Sequence, residues 1–178
     1  MSSLKMPVTS VDHSEGPENE PLVLVEYGDY QCPGCGQAYP IVKQIQKHFG
    51  KRLRFVFRNF PLSESHPEAE SAAETAEFAG VHGKFWQMHD ALYENQDRLG
   101  VELYRTLAKK LGLYEADLDA ALKAGTYRER VRADFSGGVR SGVNATPTFY
   151  INGIRHDASF DFETLSAALQ HAIEVAKM

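Results

Sequence analysis

The chain has 178 residues, a length that favours one compact domain or one domain carrying a sizeable insertion. Hydrophobic residues make up 43% and charged residues 24%, which excludes an intrinsically disordered chain. The formal charge of −5 comes from interspersed acids and bases, so nothing favours nucleic acid or an anionic membrane, and no run approaches the roughly 18 apolar residues of a membrane span.

Residues 1–20 read as a polar N-terminal extension carrying Lys5, Asp12, Glu15, Glu18 and Glu20. They contain no apolar h-region, so the expected location is cytoplasmic, although a periplasmic protein with its leader removed would read the same. Residues 22–27 (LVLVEY) form a nearly continuous apolar run, the signature of a strand buried on both faces. A second strand, rich in aromatic residues, is expected over 53–60 (LRFVFRNF). Between them Ala38, Ile41, Val42, Ile45 and Phe49 recur at helical spacing, giving a β–α–β unit whose right-handed crossover makes the two strands parallel. Pro40 falls inside that helix and should kink it, because it has no N–H to bond back to Gly36.

From about residue 65 to 142 the pattern is helical. Ala69, Ala72, Ala73, Ala76 and Ala79 make a small-residue stripe. Phe85, His89, Leu92 and Tyr93 mark a second helix, Leu103, Leu107 and Leu111 a third, and Leu118 and Leu122 a short fourth. Val131, Phe135 and Val139 mark the last, which the Gly137–Gly138 pair should bend or loosen. Strand character returns at 148–151, and Asn152–Gly153 is a hairpin signal leading to a short strand near 154–156. Asp161 then caps a closing helix with Leu165, Leu169, Ile173 and Ala176 on its apolar face. The order is β–α–β, a helical block, then β–β–α: an α/β, thioredoxin-like core over 21–62 and 143–178, with a helical insertion over 63–142.

The two cysteines, Cys32 and Cys35, are separated by two residues. A bridge between them would close too small a loop to add much stability, so their value lies in chemistry. They follow a buried strand and open a helix, where unpaired N–H groups and the helix dipole favour a thiolate. An ordinary cysteine titrates near ~8.5, and each unit by which the site lowers that value is worth about 1.4 kcal/mol to the thiolate. Cys32 is therefore expected to be the exposed nucleophile, and Cys35, one turn deeper, the resolving thiol. A zinc half-site or a pair of inert helix cysteines would use the same spacing, but no second Cys-x-x-Cys exists to complete a metal site. His82 and His89, seven apart, could share a helix face, yet surface or packing roles explain them better than ligation. Phe85 and Trp86 read as core of the insertion or a groove wall. Tyr27 and Tyr30, flanking Gly28–Asp29, either line the cysteine pocket or simply pack.

Two motifs, VEYGDYQCPGC over 25–35 and GVNATPTFYING over 142–153, resemble the DsbA-like branch of the thioredoxin superfamily, and the likeness runs from about Val11 onward. The resemblance implies a protein disulfide oxidoreductase with no bound cofactor or metal, protein thiol and disulfide substrates, and a separate partner that recycles the active site. It implies that Pro147 is cis and lies against the active-site disulfide, with the backbone of Thr146 pairing an extended substrate segment. It also implies that Glu26 exchanges a proton with Cys35, burial raising its pKa. The strongly oxidising DsbA proteins carry His between their cysteines, whereas this chain has Pro33–Gly34, which leaves the sulfur accessible and the direction of catalysis open. Two other functions use the same fold: a glutathione- or thiol-dependent transferase or isomerase for small molecules, and a non-redox peptide-binding module.

Overall fold

The computed structural model describes residues 2–19 and 21–178; Met1 and Glu20, the two ends of the expected extension, lie outside the described residues. In chain order the elements are β1 (His13–Glu15), β2 (Leu22–Gly28), α1 (Pro33–Phe49) and β3 (Leu53–Asn59). The helices α2 (Ala69–Val81), α3 (Phe85–Glu94), α4 (Val101–Lys110), α5 (Glu115–Ala124) and α6 (Arg128–Arg140) follow, then β4 (Thr148–Ile151), β5 (Ile154–His156) and α7 (Phe162–Ala176). This is the expected α/β order. Contacts group the chain into two units: Met1–Gly28, Gln37–Arg58 and Ser136–Met178 form one, and Asp29–Gly36 with Asn59–Phe135 the other.

The first unit is built on a sheet of order β1-β3-β2-β4-β5. The apolar run of β2 is buried along almost its whole length, as a central strand requires. On α1 the side chains of Ala38, Val42, Ile45 and Phe49 are buried, and the helix continues through Pro40, which lies on its exposed side. On α7, Leu165, Leu169 and Ile173 are buried while Ala176, at the helix end, is exposed. Asp161 caps this helix by accepting from Thr164 N at 2.9 Å. The β4–β5 hairpin turns at Asn152 (φ 49°) and Gly153 (φ 84°), the two positive φ values that its tight turn demands. The Asn152 side chain also accepts from Val23 N at 2.8 Å, so it does more than turn the chain.

The polar N-terminal residues belong to this sheet. β1 pairs antiparallel with β3 and forms one edge of the sheet, and Ser3 bridges Ile154 of β5 at the other edge. No apolar alternation announces this pairing, because main-chain hydrogen bonds need none. Arg58 of β3, itself buried, secures the segment: its guanidinium forks onto Asp12 at 2.8 and 3.0 Å and donates to Met6 O, Pro7 O and Tyr27 Oη. Burial alone disfavours that charge, but Asp12 and Tyr27 outweigh it and hold the Arg58 pKa above its usual value.

α6 runs unbroken through the Gly137–Gly138 pair to Arg140. Both glycines are buried, and a Cβ at Gly137 would lie 2.8 Å from Met6 Cγ, so Gly137 serves close approach. Val139 points outward instead, 52% exposed.

In the second unit the alanine stripe of α2 is fully buried, and small side chains let α3, α4 and α5 pack closely around it. His82 and His89 do not share a helix. α2 ends at Val81, and Gly83 at φ 74° turns the chain before α3 begins.

Two predictions follow from these contacts. Arg58→Ala leaves Asp12 buried without its counter-charge and releases residues 6–12, so the urea midpoint should fall by the equivalent of about 3–5 kcal/mol. On α2, burial raises the pKa of Glu74 above the ordinary 4.5, and neighbouring Glu70 adds to this. The unfolded chain therefore loses that proton first as pH rises, and stability falls between 4.5 and the raised native value. Glu74→Gln should accordingly be more stable than the parent at neutral pH, with the gain vanishing below about pH 4 in paired denaturation curves.

Candidate active site

Strand β2 ends at Gly28, where a Cβ would lie 2.5 Å from Phe57 Cε2 and 3.0 Å from Glu26 Oε2. The chain then makes a short turn and enters α1 at Pro33, a residue suited to the first helical position because its missing N–H would have had no helical partner. Cys32 thus stands at the helix N-cap. Its N–H donates to Asp29 O at 3.1 Å, and its carbonyl accepts the first helical bond from Gly36 N at 3.0 Å. No acidic residue lies in the first turn of the helix to oppose a thiolate.

Cys32 is 8% exposed and Cys35 0%. The order of accessibility is the expected one, but Cys32 is not openly exposed. Pro33 is exposed and Gly34 half-buried, so these two residues offer little side chain around it. The Cys35 sulfur accepts from Asp29 N at 3.4 Å.

The turn is held by side chains that sequence reasoning did not single out. Asp29, 2% exposed, accepts from Gln31 N at 2.8 Å through one carboxylate oxygen. Its other oxygen takes Leu62 N at 2.9 Å and His66 Nδ1 at 2.8 Å. Gln31 Oε1 accepts from Glu68 N at 2.7 Å, and Gln96 Nε2 donates to both Tyr30 O and Cys32 O at 2.8 Å. The aspartate-to-i+2 bond is a local turn signal that residues 29–31 carry. Gln96 and His66 have no such signal, being 64 and 37 residues from their partners.

The tyrosines divide between the units. Tyr27 is buried in the sheet unit, edge-on to Tyr150 at 5.9 Å and accepting from Arg58. Tyr30 packs on Tyr93, and its hydroxyl lies 2.8 Å from His89 Nδ1. Phe85, Trp86 and Tyr93 crowd the His89 ring, so Phe85 and Trp86 belong to the packing of the helical unit and His89 is a buried core histidine. Among the described residues no group of three or more His, Cys, Asp or Glu side chains could hold a metal ion.

In the sheet unit, Glu26 is 3% exposed on β2, opposite Phe149 of β4. The burial expected of it is observed. The Thr146–Pro147 bond is cis and leads directly into β4, which pairs antiparallel with β2.

The thioredoxin family profile matches residues 9–171, and the chain belongs to that family. The fold is DsbA-like. BdbD from Bacillus subtilis superposes with a TM-score of 0.87 at 24% identity, covering 97% of this chain and 98% of that one. Alpha-DsbA1 of Wolbachia pipientis gives 0.83 at 17% identity, over 97% and 96%. In sequence, the chain is 43% identical over 164 residues to the Na(+)/H(+) antiporter NhaA 1 of Salinispora arenicola, and 38% over 160 residues to NhaA of Herminiimonas arsenicoxydans. These matches take in 90% of this chain in both cases but only 24% and 25% of those proteins, so the chain spans about a quarter of the length of these curated relatives. Among the described residues no helix is long and apolar enough to cross a membrane.

Asp29→Ala would strand the N–H groups of Gln31 and Leu62, each at a cost of about 1–3 kcal/mol. Chemical denaturation should show a loss larger than the roughly 1 kcal/mol typical of a point substitution, with Asp29→Asn less affected because one acceptor oxygen remains.

Proposed function

We propose that this chain is a thiol–disulfide oxidoreductase acting on protein substrates through Cys32 and Cys35. The observation that carries the reading is the placement of Cys32 at the N-cap of a helix with no acid in its first turn, more accessible than a fully buried Cys35 one turn further on. The family and fold agree with it.

In the reductive direction the Cys32 thiolate attacks a substrate disulfide, forming a mixed disulfide and releasing one substrate thiolate. Cys35, deprotonated, then attacks the Cys32 sulfur, releasing the second substrate thiolate and leaving the Cys32–Cys35 disulfide. Run backwards, the same two exchanges oxidise a substrate dithiol. The relative potentials of substrate and enzyme set the direction, and a separate redox partner restores the starting state. Pro33 and Gly34 set little side chain of their own against a substrate approaching Cys32. Thr146 and Pro147, from the second family motif, are assigned to binding an extended substrate segment, and the buried Glu26 to proton transfer.

Cys35→Ala blocks resolution, so mixed disulfides on Cys32 should accumulate and be identifiable by mass spectrometry as proteins. Cys32→Ser should form none. Alkylation of the reduced parent at mildly acidic pH should label Cys32 before Cys35, and Glu26→Leu should slow exchange near neutral pH without loss of stability. Adducts only of glutathione, together with activity surviving in Cys35→Ser, would replace this reading with a small-molecule transferase. Full function in Cys32→Ser would replace it with a non-redox binding module.

A further inference from the structure

We infer that Gln96 is a positioning residue that sets how oxidising the Cys32–Cys35 pair is; this rests on the redox function proposed above. Gln96 opens a short 3₁₀ turn (Gln96–Arg98) after α3 and lies far from the cysteines in sequence. Its one amide nitrogen donates to two carbonyls of the redox turn, Tyr30 O and Cys32 O, both at 2.8 Å. Both partners are carbonyl oxygens, so only the NH2 end of the side chain can face them.

Two consequences arise from that geometry. The Cys32 carbonyl takes two donors, Gly36 N–H from the helix and Gln96 from outside it, which fixes the peptide plane between Cys32 and Pro33. The orientation of the Cys32 side chain at the helix start follows from that plane. In addition, two carbonyl oxygens converge on one amide nitrogen, and without it their partial negative charges would face each other within the turn that carries Cys32. A thiolate at Cys32 would be disfavoured, and with it the reduced form of the pair.

Gly36 provides an independent mark of the same arrangement. A Cβ built there would lie 2.2 Å from Gln96 Oε1 and 2.9 Å from its Cδ. The position at the end of the first helical turn is thus occupied by Gln96 itself. Alanine would otherwise be the better helix former, so Gly36→Ala should displace Gln96 while leaving every other residue of the turn in place.

The test is a redox titration of the whole chain against reduced and oxidised glutathione, with the Cys32 thiolate followed by its ultraviolet absorbance. The equilibrium balances as one protein disulfide plus two glutathione thiols against one protein dithiol plus one glutathione disulfide. Gln96→Leu should raise the Cys32 pKa and move the equilibrium about tenfold toward the protein disulfide, roughly 30 mV more reducing. Gly36→Ala should shift both in the same direction with Gln96 still present. The double variant should match Gln96→Leu alone, because both substitutions remove the same contact. A Gln96→Leu equilibrium within twofold of the parent would overturn the inference, as would additive shifts in the double variant. Should Gln96→Leu fail to fold, Gly36→Ala decides alone, and an unshifted potential there overturns it. A parent protein that exchanges no disulfide with glutathione would instead remove the proposed function, and this inference with it, before any variant is compared.

Discussion

The turn between β2 and α1 must satisfy backbone groups that no regular element pairs. Residues 29–36 leave a strand and enter a helix, so their N–H and C=O groups have neither ladder nor complete helical partners. Asp29 within the turn and Gln96 of the helical unit meet that demand, and the eight residues belong to that unit although the strand before them and the rest of α1 do not. The buried Asp29 carboxylate is the central piece. It is acceptor to two backbone amides and one imidazole, and its own N–H and C=O reach the Cys35 sulfur and Cys32 N–H.

This arrangement bears directly on the electrostatics of the cysteines. A buried carboxylate near a thiol would normally oppose its ionisation. Here both oxygens of Asp29 are already engaged by donors that draw its charge toward Gln31, Leu62 and His66. The Cys35 sulfur instead meets a backbone N–H, and Cys32 meets the start of a helix with no acid in its first turn. A partial positive charge thus faces the Cys35 sulfur, and Cys32 sits at the positive end of the helix.

The sheet unit solves a different problem with similar means. A five-stranded sheet has two edges: residues 13–15 form the outer strand at one, paired to β3, and Ser3 engages the outer strand β5 at the other. A polar strand can do this because it is held by main-chain bonds and by the buried fork between Arg58 and Asp12. The same chain segment would have no reason to stay ordered from its side chains' hydropathy alone. The β4–β5 hairpin shows the complementary case, in which local chemistry suffices: Asn152 and Gly153 adopt positive φ values that most residues resist.

Much of this was legible in the residues. The apolar run of β2, the helical spacing of α1 through α7 and the turn at Asn152–Gly153 are short-range patterns, set by backbone preference and by which face must be buried, and each appears where its pattern places it. The position of Cys32 and Cys35 at a helix start follows from the same logic, as does the burial of Glu26 within an otherwise apolar strand. Other features depended on partners brought together only by folding. Gln96 reaches the Cys32 carbonyl across 64 residues, His66 reaches Asp29 across 37, and Arg58 reaches Asp12 across 46. Gly137 looked like a flexible point until Met6 was seen to occupy the space its side chain would need. Periodicity records how a segment divides between water and core, but a hydrogen bond between distant polar groups leaves no periodic trace. The sequence by itself therefore determined the elements and the cysteine pair, while the tertiary structure decided which polar groups hold that pair in place.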